Sequence, residues 1–143
     1  MAKVEKSIEI AAPPEKVFAY LNDPMAMPQW MPGMIEVSDI VGEGVGLHYK
    51  WVYKMAGIRF SGESAVQERV PDERIVVKGT GGIPNTWVWS LTPEKGGTKL
   101  DLAVEYTVPV PVLGKLAEPL VVRQNDREAE LALTNLKAQV ESG

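Results

Sequence analysis

The sequence contains no cysteine and a single histidine, His48. The first absence excludes disulfides, thiolate metal ligands and cysteine nucleophiles, and the second excludes a paired-histidine metal site. Long apolar runs are also missing: none approaches the ~20 residues that a membrane span needs. The opening, Met1 to Glu9, carries charges throughout instead of the apolar core of a secretory leader. A soluble, cytoplasmic protein is the expectation. There is no basic block, and 19 acidic residues against 15 basic ones leave a net charge of -4. Nothing in that balance attracts a phosphate backbone, so nucleic acid is not an expected partner.

Signatures of catalysis are equally scarce. Gly79, Gly81 and Gly82 are followed by Ile83 and Pro84, not by the helix start that a phosphate-cradling loop requires. No serine has a base and an orienting acid at a suggestive spacing. His48 alternates onto the face opposite Tyr49 and Trp51, which predicts exposure over general-base work. No metal and no cofactor are expected.

What is present is a chain of 143 residues, 45% hydrophobic and 24% charged. That is enough for a core without staples and too apolar for disorder. One domain spanning residues 1–143 is expected. Val4, Ile8 and Ile10 alternate with Glu5, Ser7 and Glu9 in a first strand. Pro13 and Pro14 stop it, and Val17, Phe18 and Leu21 then form the apolar stripe of a two-turn helix. Asp23 is placed to cap a second short helix, which Pro28 and Pro32 confine to a turn or two. Met25, Met27, Trp30, Met31 and Met34 crowd this corner. They either cap the core, line an entrance or form a contact patch for a partner protein.

From Met34 onward, strands follow one another with turns at Gly42 to Gly46, Ala56 and Gly57, Pro71 and Asp72, Gly81 to Pro84, and Gly96 and Gly97. Connections this short rule out crossover helices and imply an antiparallel meander. Leu47, Tyr49, Trp51, Tyr53 and Met55 make one face of a half-buried strand. Phe60, Gly62 and Ser64 are assigned to the inner face of the next, and Gly62 suggests a bulge or strong bend. The β-branched run Arg74 to Lys78 is expected to be mostly buried. Trp87, Trp89 and Leu91 alternate in the following strand, and Leu100, Leu102, Val104 and Tyr106 finish the sheet. The period-3.6 pattern of Val122, Asn125, Ala129, Ala132, Leu133, Leu136 and Val140 predicts one long helix over Pro111 to Val140. Strands and helices in this order make an α+β domain.

The run Pro14, Val17, Phe18, Leu21, Asp23, Pro24, Pro28 and Trp30 carries a resemblance. So do Val70, Pro71, Arg74 and Ile75, then Gly96, Gly97 and Thr98, and finally Asn135, Leu136 and Lys137. Over nearly its whole length the chain resembles the START-related (SRPBCC) superfamily, and within it the small bacterial polyketide cyclase/dehydrase-like proteins. The resemblance implies a helix-grip fold: a curved antiparallel sheet of about seven strands wrapped around a long C-terminal helix, with two short helices after the first strand. It also implies an apolar pocket. Members include lipid and hormone binders, cyclases, quinone chaperones and co-chaperones, so fold analogy does not choose among functions.

The long helix is thinly apolar, with Ala129 and Ala132 where leucines would fill a core, facing a sheet with Gly62 and Ser64 inward. Such surfaces leave space between them. The expected ligand-binding set is Trp30, Tyr49, Trp51, Tyr53, Phe60, Trp87, Trp89, Tyr106, Val121 and Asn125, with Glu118 one further repeat back on the helix. Any one ring is by default a core residue, but as a group they outline an aromatic cavity with sparse polar handles. The expected function is binding of a hydrophobic or aromatic small molecule (lipid, quinone or polyketide-like). The alternatives are a metal-free cyclase or dehydratase using Asn125 and an inward tyrosine, and a co-chaperone-like interaction module. The shortage of strongly titratable inward groups favours binding over catalysis.

Overall fold

The computed structural model describes residues 2–143. Seven strands form one antiparallel sheet in the order β1-β7-β6-β5-β4-β3-β2. They are β1 (Ala2–Ile10), β2 (Met34–Val41), β3 (His48–Met55), β4 (Ile58–Val70), β5 (Arg74–Gly81), β6 (Asn85–Glu94) and β7 (Gly97–Tyr106). From β2 to β7 every connection joins neighbours. The exception is the link from β1 to β2, which carries α1 (Pro14–Leu21) and α2 (Met27–Trp30) from one sheet edge to the other.

The alternation along each strand decides which face is buried. Val4 and Ile10 of β1 pair with Val104 and Thr98 of β7, and all four are buried. The expected inner rows of β3 and β7 are found: Tyr49, Trp51 and Met55 on one, Leu100, Leu102, Val104 and Tyr106 on the other. In β5 the expectation of a mostly buried strand fails. Only Ile75 and Gly79 are buried, because Arg74, Val76 and Lys78 alternate onto the outer face, which meets solvent, and Val77 on the inner face borders a cavity.

The sheet bends where two glycines face each other. Gly62 of β4 is the register partner of Gly81 on β5 and of Trp51 on β3. A Cβ on Gly62 would stand 2.2 Å from the Thr80 carbonyl oxygen and 2.3 Å from Cζ2 of Trp51. No side chain fits there, so the strands approach closely and the indole lies over bare backbone. A register shift between Val66 and Glu68 adds a second irregularity to the same strand.

The corner between β1 and β2 caps the core. Pro14 opens α1, which buries Val17 and Phe18. The Arg69 guanidinium of β4 lies 5.2 Å from the Phe18 ring centroid and donates to Asn22 Oδ1 at 2.9 Å. Asp23 accepts from the Met25 N–H and caps a 3-10 turn at Pro24–Ala26 that leads into α2, whose own start at Ala26 has no side-chain cap. Met27, Trp30 and Met31 are buried and Met25 alone is largely exposed, at 60%. The methionines therefore serve packing and do not present the contact patch that a co-chaperone reading requires.

The closing helix, α4, runs Glu118–Ser142 and starts later than the periodicity predicted. Gly114, at φ 88 and ψ 143, breaks the chain between the short helix α3 (Val110–Leu113) and a 3-10 turn at Lys115–Ala117. The C-terminal half of α4 is solid core: Leu133, Leu136 and Val140 are almost fully buried. Polar contacts fix its direction. Lys6 of β1 bridges Asp126 at 2.8 Å and Glu130 at 2.9 Å, the Ala11 N–H donates to Glu141 at 2.8 Å, and Asn135 donates to the Trp30 carbonyl at 3.2 Å.

Candidate functional site

Between the concave face of the sheet and the N-terminal half of α4 lies a cavity of about 110 Å³. Its position follows from side-chain size. Where α4 presents Leu133, Leu136 and Val140 the gap is filled, and where it presents Asn125, Ala129 and Ala132 space remains. An apolar cavity of ~150 Å³ takes a benzene-sized molecule, and a water occupies ~30 Å³ in the liquid. The space here thus suits about one ring or a short chain.

Trp30, Tyr49, Trp51, Tyr53, Trp87, Trp89, Tyr106 and Asn125 of the expected set line the cavity. Phe60 and Val121 are buried but are not part of the lining. Phe60 packs beside Gly82 at the edge of β4, and Val121 sits a turn before Asn125 on α4. Glu118 is also outside it.

The tryptophans form a connected wall. Trp87 and Trp89 stack at 5.8 Å and 22°, and Trp30 meets Trp89 edge-on at 5.8 Å and 81°, both favourable ring geometries. Across the cavity the Trp51 indole donates to Ser64 Oγ at 2.9 Å. The indole N–H of Trp30 is different. It is the one buried side-chain polar atom among the described residues that has no hydrogen-bond partner. An unpaired buried donor is costly, by about 1–3 kcal/mol.

Two polar pairs tie α4 to the sheet at the other side. Asn125 donates to the Tyr106 hydroxyl at 3.0 Å, and the Tyr53 hydroxyl donates to a Glu128 carboxylate oxygen at 3.4 Å. Asn125 and Glu128 are three residues apart on a helix, so both project toward the same side. Burial pushes the Tyr49 phenol up to about 12. Burial, followed by the neighbouring carboxylate of Glu128, pushes Tyr53 higher still. Burial also raises Tyr106, against the opposing effect of its bond from Asn125. These phenols stay protonated near neutrality and act as hydrogen-bonding groups. For Glu128, burial raises the carboxyl above its ordinary value and the bond from Tyr53 opposes that rise.

Glu128 corrects the expectation that titratable groups would be lacking inside. Among the described residues it is the only Asp, Glu, His, Lys or Arg side chain in the lining, and it takes part in no ion pair. The signal was present, because Glu128 continues the spacing Asn125, Ala129, Ala132, but an apolar stripe search passes over a carboxylate. Asn85, two residues before Trp87 on the same strand face, also lines the cavity and was legible from the alternation. His48 is exposed, as expected. No group of three or more acidic or histidine side chains is arranged to hold a metal among the described residues.

A seven-stranded sheet gripping a long C-terminal helix around an aromatic cavity defines a helix-grip protein of the SRPBCC class. The family described as polyketide cyclase / dehydrase and lipid transport matches residues 1–141, and the chain belongs to that family. No curated protein matches the chain by sequence. Among solved structures it is similar to TTHA0849 from Thermus thermophilus, with 22% identity, TM-score 0.85 and coverage of 98% of this chain and 97% of that one. It is similar to the Zhui aromatase/cyclase from Streptomyces sp. R1128, with 18% identity, TM-score 0.77 and coverage of 97% and 93%. The di-domain aromatase/cyclase StfQ from the steffimycin biosynthetic pathway aligns with 19% identity and TM-score 0.79, covering 99% of this chain and 51% of that one. At such identities these likenesses concern the fold. Among the described residues no helix is long and apolar enough to cross a membrane.

Proposed function

We propose that this protein binds a hydrophobic or aromatic small molecule, of about one ring in size, in the cavity between the sheet and α4. The observation that carries this reading is the lining itself: four tryptophans and three tyrosines surround the space, with two helix-to-sheet polar pairs at its edge. Rings offer stacking surface, while the polar pairs and the unpartnered Trp30 N–H offer orientation. Nothing in the reading calls for a cofactor or nucleic acid, and a cytoplasmic location suits a cysteine-free chain. The test is a titration with phenol, a single neutral ring, and with the larger indole, followed through the indole N–H resonances of the protein's tryptophans. Saturable shifts at Trp87 and Trp89 are the expected result. Invariant spectra up to the solubility limit of indole and of a panel of quinones, lipids and small aromatics would defeat the proposal.

Catalysis of a cyclase or dehydratase type is the second reading, and the pairing of Glu128 with Tyr53 is what favours it. A carboxyl raised by burial beside a neutral phenol can exchange a proton with a bound carbonyl compound. Asn125 and Tyr106 would then supply hydrogen bonds to an enolate. Turnover unchanged in a Glu128→Gln, Tyr53→Phe double variant would remove both residues from any such mechanism.

A further inference from the structure

We infer that the cavity selects its ligand by charge, and that its preferred occupant is a small aromatic or aliphatic amine in its protonated form. The inference rests on the ligand-binding reading and names the ligand class for that same site.

Three observations converge on it. Among the described residues, Glu128 supplies the only formal charge in the lining, and no Lys, Arg or His side chain reaches the cavity to balance it. Its one hydrogen-bond partner is the neutral phenol of Tyr53. On strand β1, which packs against α4, Lys6 is already held by Asp126 and Glu130. A half-buried carboxylate with a phenol partner retains capacity to accept hydrogen bonds from an ammonium group.

The rings add to this preference. Trp87, Trp89 and Tyr106 line the same space, and an aromatic face turned to a ligand attracts a cation and repels an anion. An alcohol of the same shape could donate one hydrogen bond to Glu128 but carries no charge to pair with it. A carboxylate would meet Glu128 with like charge, lose its hydration, and find no basic partner. The shape of the cavity thus treats three matched ligands alike, while its electrostatics separate them.

Benzylamine, benzyl alcohol and benzoate carry one ring and differ in the polar group, so they isolate this effect. Their affinities at pH 7 can be read by calorimetry and by the tryptophan indole resonances. Benzylammonium is expected to bind about tenfold more tightly than benzyl alcohol, with benzoate weakest by a further factor of about ten. In Glu128→Gln, which keeps a neutral acceptor for Tyr53, the amine should lose most of its advantage and fall to within about threefold of the alcohol, whose own affinity changes less than the amine's. Benzoate binding as tightly as benzylammonium in the native protein would overturn the inference, as would an amine preference that survives in Glu128→Gln. If indole and benzyl alcohol bind and the amine does not, charge selection alone falls. If none of the four binds, charge selection falls, and the ligand-binding reading falls with it when the panel of quinones and lipids also leaves the spectra unchanged.

Discussion

The hydroxyl of Tyr53, on the third strand, stands 3.4 Å from the carboxylate of Glu128, on the closing helix. This contact joins the two walls of the cavity. Both groups are moved by it and by their burial: the phenol is held protonated, and the carboxyl is raised from its ordinary value near 4.5.

The raised carboxyl has a consequence for stability. Its folded pKa lies above its unfolded one, so the folded chain binds more protons in the interval between them. The associated stability is greatest on the acid side and is lost as pH rises through the folded value. The groups facing Glu128 are Tyr53 and Tyr106, with Asp126 adjacent and paired to Lys6, and neither phenol titrates in that interval. Glu128→Gln is therefore expected to raise the melting temperature at pH 7 and to make no difference below pH ~4, where both forms are neutral. Melting curves of the two proteins between pH 3.5 and pH 8 check this. A gap that is constant across the range would show that burial of the charge is not its cause.

Ala132 is 2% exposed and lines the cavity from α4. In Ala132→Leu an isopropyl group replaces a hydrogen and projects into the open space. Overpacking a filled core costs about 1–3 kcal/mol, and here the void should absorb the bulk for less than about 1 kcal/mol. Indole binding should fall at least about tenfold at the same time. Urea unfolding combined with the indole titration measures both. Retained binding would place the ligand elsewhere.

Gly62 has no room for a side chain between Thr80 and Trp51. Gly62→Ala is expected to destabilise the fold by about 1–3 kcal/mol. It should also displace the Trp51 ring from Ser64, visible as a change in near-ultraviolet circular dichroism. A variant as stable as the parent with unaltered Trp51 signals would show that the bend does not depend on this glycine.

Thr98 is 1% exposed, and its hydroxyl donates to the Ala12 carbonyl at 2.7 Å, fastening the start of the β1–α1 connection to β7. Thr98→Val keeps the shape and leaves that carbonyl without its donor. A loss of about 1–3 kcal/mol in the urea midpoint analysis is expected, with the denaturant slope unchanged. A loss under a few tenths would mean that water takes the hydroxyl's place.

Alternation and turn chemistry were sufficient to read the sheet. The inner rows Tyr49–Trp51 and Leu102–Val104 fall where the period of two puts them, because a strand in a one-sided sheet buries alternate residues and nothing else satisfies that pattern. The same reading misjudged β5, where Val76 belongs to the outer face and Val77 borders the cavity, so neither is fully buried. Periodicity likewise located the closing helix and placed its start too early. Pro111 and Pro119 are both compatible with a first turn, and only the φ of Gly114 shows where the chain breaks.

The candidate site divides in the same way. Trp87, Trp89, Tyr106 and Asn125 were recognisable as cavity residues because each lies on an inward face of its own element. Glu128 was not, since a charged residue on a helix is by default a solvated one, and its inward position depends on how α4 is rotated against β3.

The order of elements, the buried faces and the small residues on the helix follow from the chain itself, since local periodicity and turn geometry need only neighbouring residues. That Tyr53 meets Glu128, that Gly62 opposes Gly81, and that the Trp30 N–H is left unpaired are decided only by the assembled fold. Each depends on the separation and rotation of elements remote in sequence, and packing across the whole core sets both.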